Sequence, residues 1–289
     1  MPKASFISIA SVDSMQMIYL SDGCKDVLGF SGQQWVGKNA ENWFHPEDRR
    51  GLYMIIKTCV ELQKIATLVY FRVLSAKGYV LIEASFNYCY DIIVSSNRLL
   101  READYPELFG TIPYQIVEFT TFSVKDRTCL AEDIITIWNT QSIHVLGAPN
   151  AFSTSKELHQ ALSKTTSKTP NSPPEVRVCI IVDHNLEGYP IVFCSRLSTD
   201  MLGSSPEELK HTSLFEHVHY EDLNEVREEL KSVIYEESVG NKIEFTWTTP
   251  TFQHIELQAV ITHTDDGLIF ILRVVDQKEF FLPICEAFQ

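Results

Sequence analysis

Short apolar runs alternate with polar ones at both ends of the chain, on either side of a long middle stretch without a counterpart. Phe6–Ser11 and Met17–Ser21 predict a strand pair, with Asp and Ser in the turn at Val12–Gln16. Ser21-Asp22-Gly23 predicts a helix start reaching Val27 or Leu28. Gly29 follows, where a left-handed C-cap wants glycine. Gln33–Val36 reads as another short helical turn. His45-Pro46-Glu47-Asp48 predicts a further helix start: Pro46 fits the first helical position, and the Glu47 and Asp48 carboxylates face the positive end of the dipole. From Arg50 to about Leu62, Leu52, Ile55, Ile56, Cys59 and Val60 recur at helical spacing. Ala66–Ser75 and Tyr79–Tyr90 predict two long strands around Ala76-Lys77-Gly78, and Ile92–Ser95 a shorter third.

The same order returns after residue 175. Asp26–Arg50 aligns without a gap on Asp200–Asn224, an offset of 174 positions (His45 against His219). Gly29, Ser31, His45, Glu47 and Asp48 fall on Gly203, Ser205, His219, Glu221 and Asp222. The likeness reaches upstream to Ile191–Ser195 and downstream to Phe71 on Phe245. A repeat of this length implies two copies of one domain. In the second copy, Arg177–Asp183, Ile191–Ser195, Lys242–Thr248, Gln253–His263 and Leu268–Val275 are the predicted strands. Ser205 caps a short helix, Tyr220–Tyr235 is the long one, and Asp266-Gly267 makes the last hairpin turn. Strand–strand–helices–three strands predicts an α+β unit: a five-stranded antiparallel sheet with short helices on one face, built twice. The expected divisions are 1–96, an inter-domain region 97–175, 176–277 and a tail 278–289. In the middle region Gln115–Phe122 is strand-like, Leu130–Trp138 is amphipathic around Ile134, Ser155–Leu162 is a short helix candidate, and Ser163–Pro174 is an apolar-free linker.

Composition narrows the classes. In 289 residues, 45% hydrophobic and 21% charged content is that of a globular chain, and a net charge of −14 argues against a broad nucleic-acid face. Seven cysteines without a C-x-x-C predict neither a disulfide framework nor a zinc knuckle, and fit reduced thiols in a cytoplasmic or nuclear protein. The N-terminus reads as no signal peptide and no run is long enough to span a bilayer, so a soluble chain is expected.

At the Leu-Gly turn and the His-Pro-Glu-Asp corner the sequence resembles the PAS domain family, twice. The tandem arrangement and the phrase CYDIIVSS after the second long strand look like fungal regulators related to white-collar-type and animal helix-loop-helix PAS proteins. The resemblance implies sensing or dimerisation with output to an effector. It departs at Tyr220, where the first copy has Pro46, and at Ser204, where it has Phe30.

The reactive cysteine of light-sensing PAS domains falls at Ala40 and Leu214, so no flavin adduct can form; non-covalent flavin stays open. No histidine follows either corner on the long helices, which leaves Cys59 and Met54 as weak haem ligands. His211, His217 and His219 read as a surface cluster, not a metal site. No catalytic or metal residues are assigned, no cofactor is predicted, and the chain is read as non-enzymatic. Gly29, His45, Pro46, Asp48, Gly203, His219 and Asp222 are read as structural motif residues. Inward alternation on the second strand of each copy nominates Ile18, Leu20, Val192 and Cys194 as cavity lining, combined with Trp43 and Ile55 in the first copy. Phe71, Val73, Phe245 and Trp247 share sheet faces that are candidates for an interface. The expected function is signalling or transcriptional regulation through protein contacts, with itself or another PAS protein, without direct nucleic-acid or membrane binding. A small-molecule or flavin sensor whose ligand controls dimerisation is the alternative.

Overall fold

The computed structural model describes residues 4–49, 52–53, 56, 67–100, 117–118, 176–235 and 241–275. The first domain contains β1 (Ser5–Ser11), β2 (Met17–Leu20), α1 (Gly23–Leu28), β3 (Thr67–Ser75), β4 (Gly78–Cys89) and β5 (Ile92–Leu99). A two-residue strand, β6 (Val117–Glu118), lies inside the predicted 115–122 run. The second domain contains β7 (Val178–Val182), β8 (Ile191–Cys194), α2 (Ser198–Leu202), α3 (Pro206–Leu209), α4 (Leu223–Tyr235), β9 (Asn241–Thr248), β10 (His254–Thr264) and β11 (Gly267–Val274). The sheets run β2-β1-β5-β4-β3-β6 and β8-β7-β11-β10-β9, so the same five-strand antiparallel order occurs twice and β6 adds to the outer edge of β3. Both domains are α+β, with short helices against one sheet face.

Local chemistry explains the helix ends. Gly29 and Gly203 close α1 and α2 at φ 80° and 73°, a left-handed backbone that a side chain would strain. Ser205 caps α3 as predicted: its hydroxyl accepts from the Glu208 N–H at 3.3 Å, and the Glu208 carboxylate accepts the Ser205 N–H at 2.8 Å. α4 buries Val226, Leu230 and Val233.

β7 and β11 are buried along nearly their whole length, and so are not clean alternations of apolar and polar residues. Their two faces meet different partners. Val178, Ile180, Val182, Leu268, Phe270 and Leu272 face the helices of their own domain. Cys179, Ile181, Ile269 and Ile271 instead join Ile7, Ile9, Cys89, Ile92 and Val94 of the first domain in one apolar cluster. The two domains therefore pack sheet against sheet through the faces their helices leave open.

Three expectations are corrected. β5 extends to Leu99, because Ser95–Arg98 pair with both β1 and β4, so the first domain does not stop at residue 96. Phe71, Val73, Phe245 and Trp247 are core residues, 0–4% exposed, and face the helices instead of a partner. Ile18 and Val192 do not line an interior. Each sits at the register shift of its hairpin, where Ile9–Tyr19 is followed by Ala10–Met17, and Ile181–Phe193 by Val182–Ile191. That bulge resets the alternation, so Met17 and Leu20, and Ile191 and Cys194, point inward. Ile18 is 41% exposed, and Val192 packs on the interdomain cluster. Ile55, the Ile134 helix, the 163–174 linker and the tail lie outside the described residues.

Candidate functional site

Two linked places carry polar groups with work to do: the seam between the domains and the inner wall of the first sheet. At the seam, equivalent residues of the two copies meet. Tyr19 and Phe193, aligned by the repeat, bring their rings to 5.8 Å. Around them the hairpin turns interlock. Asp265, in the β10–β11 turn, accepts the Ala4 N–H at 2.8 Å and the Ser5 N–H and hydroxyl at 2.9 Å each. Burial raises the Asp265 carboxyl, but these donors and nearby His263 outweigh it and hold it below the usual range. Asp266 accepts the Ser21 hydroxyl and, at 2.7 Å, the Gly23 N–H. The first N–H of α1 is thus capped by a carboxylate of the other domain, while Asp22 makes no side-chain cap bond. Gly23 allows this approach: a Cβ there would lie 2.5 Å from both Asp266 Oδ2 and Ser5 O. In the other direction, Arg177 donates to the Tyr88 carbonyl at 3.1 Å, Cys89 Sγ donates to the Arg177 carbonyl at 3.3 Å, and Arg196 pairs with Asp91 at 3.1 Å.

Cys24, Cys89, Cys179 and Cys194 are buried free thiols. Burial pushes Cys24, Cys89 and Cys194 up to about 12 and Cys179 well above its ordinary value, so they stay protonated and unreactive.

The inner wall of the first sheet holds a buried polar group that the sequence reading missed. Ser8, Ser95 and Asn97 are 7%, 4% and 1% exposed and share the face of Phe6 and Ile93. The Asn97 amide donates to Ser8 Oγ at 3.0 Å, to the Ser95 carbonyl at 3.1 Å and to the Phe6 carbonyl at 3.4 Å. Its oxygen accepts the Ser95 hydroxyl at 3.0 Å. At the matching register the second domain pairs Ile180 with Phe270 and Val178 with Leu272. Aligning the repeats by strand register would have exposed this swap; the ungapped 174 offset hides it. Of the nominated lining, Leu20 and Trp43 sit in the first core and Cys194 in the second. Trp43 lies among Phe6 (5.7 Å) and Trp35 (6.2 Å), and its indole Nε1 is buried with no partner among the described residues.

The repeated corner is a strand clamp. His45 N–H donates to the Arg72 carbonyl at 3.0 Å, and His219 N–H to that of Thr246 at 2.8 Å. Asp48 and Asp222 accept the Arg72 and Thr246 N–H at 3.0 and 2.7 Å. Pro46 occupies the turn between His45 and Asp48. In the first copy Asp48 also takes Arg72 Nε at 3.0 Å and Nη2 at 2.6 Å, with Glu47 adding a 3.0 Å contact. Burial works against the Arg72 charge, yet these carboxylates raise its pKa above the ordinary value. His217 stacks on Trp247 at 4.7 Å and 6°, and its Nε2 meets Thr212 Oγ1 at 2.8 Å. Among the described residues no three His, Cys, Asp or Glu side chains converge as a metal site, and no helix is long and apolar enough to cross a membrane.

Comparison with known proteins gives two findings. Residues 191–270 match the model of the PAS fold family. Among solved structures, the PAS domain of RpfR, a quorum-sensing receptor of Cronobacter turicensis in complex with BDSF, covers 34% of this chain and 95% of its own, at 13% identity and a TM-score of 0.32. No curated protein matches the chain. Residues 191–270 are thus similar to the PAS fold, and the first domain repeats the strand order of the second.

Proposed function

We propose that this chain is a non-enzymatic signalling regulator in which the first domain takes up a small molecule and the second reads its occupancy across the seam. One observation carries the reading. β1 and β5 bear the polar wall of Ser8, Ser95 and Asn97 on one face and the interdomain residues Ile7, Ile9, Ile92 and Val94 on the other. A molecule that repositions the wall also shifts the seam, since a packed sheet transmits strain. The second domain, apolar at the matching positions, acts as the packed partner. Output passes to a partner protein, another PAS protein or a second copy of this chain, in a cytoplasmic or nuclear setting.

The wall has a direct test. Protein purified without denaturation from a cell extract is analysed by native mass spectrometry beside Asn97→Leu, which puts the second domain's residue into the first. A small-molecule mass excess on the parent, lost in the variant, supports the reading. An equal adduct on both, or none on the parent, overturns it. An absorption spectrum of the same sample separates a flavin or haem from a colourless ligand.

A further inference from the structure

Resting on that reading, we infer that the first domain's interior selects a neutral, mainly apolar molecule bearing a carbonyl oxygen, held by Ser8 Oγ–H and Trp43 Nε1–H. Asn97 spends its amide on Ser8, Ser95 and Phe6, and Ser95 spends its hydroxyl hydrogen on Asn97. Ser8 Oγ accepts from Asn97 and keeps its own hydrogen, for which no acceptor occurs among the described residues. Trp43 Nε1, on a side chain 2% exposed, is likewise unspent. Phe6 links the two, touching the Trp43 ring and lying two residues from Ser8 on the same strand face. Unused buried donors are costly, and an acceptor brought to either of them removes that cost.

The sign of that acceptor follows from the charges. Among the described residues of the first domain the buried cation is Arg72, and it is engaged at the corner by Asp48, Glu47 and His45. An ionised carboxylate at the wall would therefore enter without a countercharge, which is far dearer than burying a neutral carbonyl. Met17, Leu20, Ala84 and Phe86 belong to the same apolar cluster as Phe6 and Trp43. The second domain has an unspent Trp247 Nε1 too, but with Ile180, Phe270 and Leu272 where the hydroxyls and amide would be. It serves as an internal control.

The test uses the full chain at pH 7.5 with two probes of equal length, 2-octanone and octanoate, followed by ligand-observed NMR. The ketone is expected to bind and octanoate at least tenfold more weakly. Ser8→Ala and Trp43→Phe should each weaken ketone binding about fivefold to tenfold, as loss of one hydrogen bond does, and Trp247→Phe should leave it unchanged. Octanoate binding as tightly as the ketone overturns the inference, as does full ketone affinity in Ser8→Ala, the variant least able to disturb folding. A native adduct lost in Asn97→Leu, alongside a chain that ignores the ketone, removes the ligand class and leaves the sensing reading standing. Absence of both removes the two together.

Discussion

Asp265→Ala tests the seam at its most concentrated point. The substitution removes the acceptor of three hydrogen bonds, from Ala4 N, Ser5 N and Ser5 Oγ, that join the first strand of one domain to the last hairpin of the other. Hydrogen bonds to a charged acceptor contribute roughly 1.5–3 kcal/mol when buried. This site is part-buried and water can replace some of the loss, so about 1 kcal/mol each, or about 2–3 kcal/mol together, is the working figure. For a cooperative unit of this size that corresponds to about 5–10 °C in Tm. Calorimetry reads the shift, and hydrogen exchange at the amides of Ile7 and Cys179 reads opening of the seam. The contrast is Asp91→Ala, which breaks an ion pair whose Arg196 partner is 76% exposed, and should cost under about 1 kcal/mol. The folded Asp265 carboxyl lies below its unfolded value of about 3.9, so its contribution is present above that pH and is lost as pH falls through the lower folded value. An Asp265→Ala protein that melts with the parent and exchanges no faster would refute the clamp.

Three further outcomes are expected. Asp48→Asn should destabilise the first domain by about 2–4 kcal/mol, since it takes the buried carboxylate from the Arg72 guanidinium and leaves it the exposed Glu47, whereas Asp222→Asn, which faces a backbone N–H, should cost about 1–2 kcal/mol; urea midpoints compare them. In the native protein at pH 8, a thiol reagent should leave Cys24, Cys89, Cys179 and Cys194 unmodified, and peptide mapping that finds any of them labelled contradicts their burial. Burial pushes the His217 ring below its ordinary value against a smaller opposing pull from Glu216. The unfolded chain then binds the extra proton below about pH 6.5, so second-domain stability falls as pH drops from 7.5 to 5.5, and His217→Gln should flatten that part of the Tm profile.

Much of the fold was legible because the repeat and the period of the strands are local signals. Gly29 and Gly203 marked helix ends, Ser205 with Glu208 marked a cap, and Phe245 with Trp247 marked one face. What that face met was not legible, since alternation says which residues share a side and not what covers it. The bulges at Ile18 and Val192 hid the inward set for a related reason: one extra residue reverses alternation without a composition signal. Ser95 and Asn97 looked like the polar end of a strand, and their burial depends on β1 and β4, which arrive from distant sequence. Asp266 looked like a turn residue because a turn is what it makes locally; its cap on Gly23 is a contact 243 residues apart.

The pairing of the two sheets is the claim on which the rest depends, and methyl NMR of the intact chain addresses it most directly. With isoleucine methyls labelled, cross-peaks should link the set Ile7, Ile9 and Ile92 to the set Ile181, Ile269 and Ile271. Their strength should not change on dilution, as befits contacts within one chain. Cross-peaks confined to each domain's own set would contradict the account, however well each half folded.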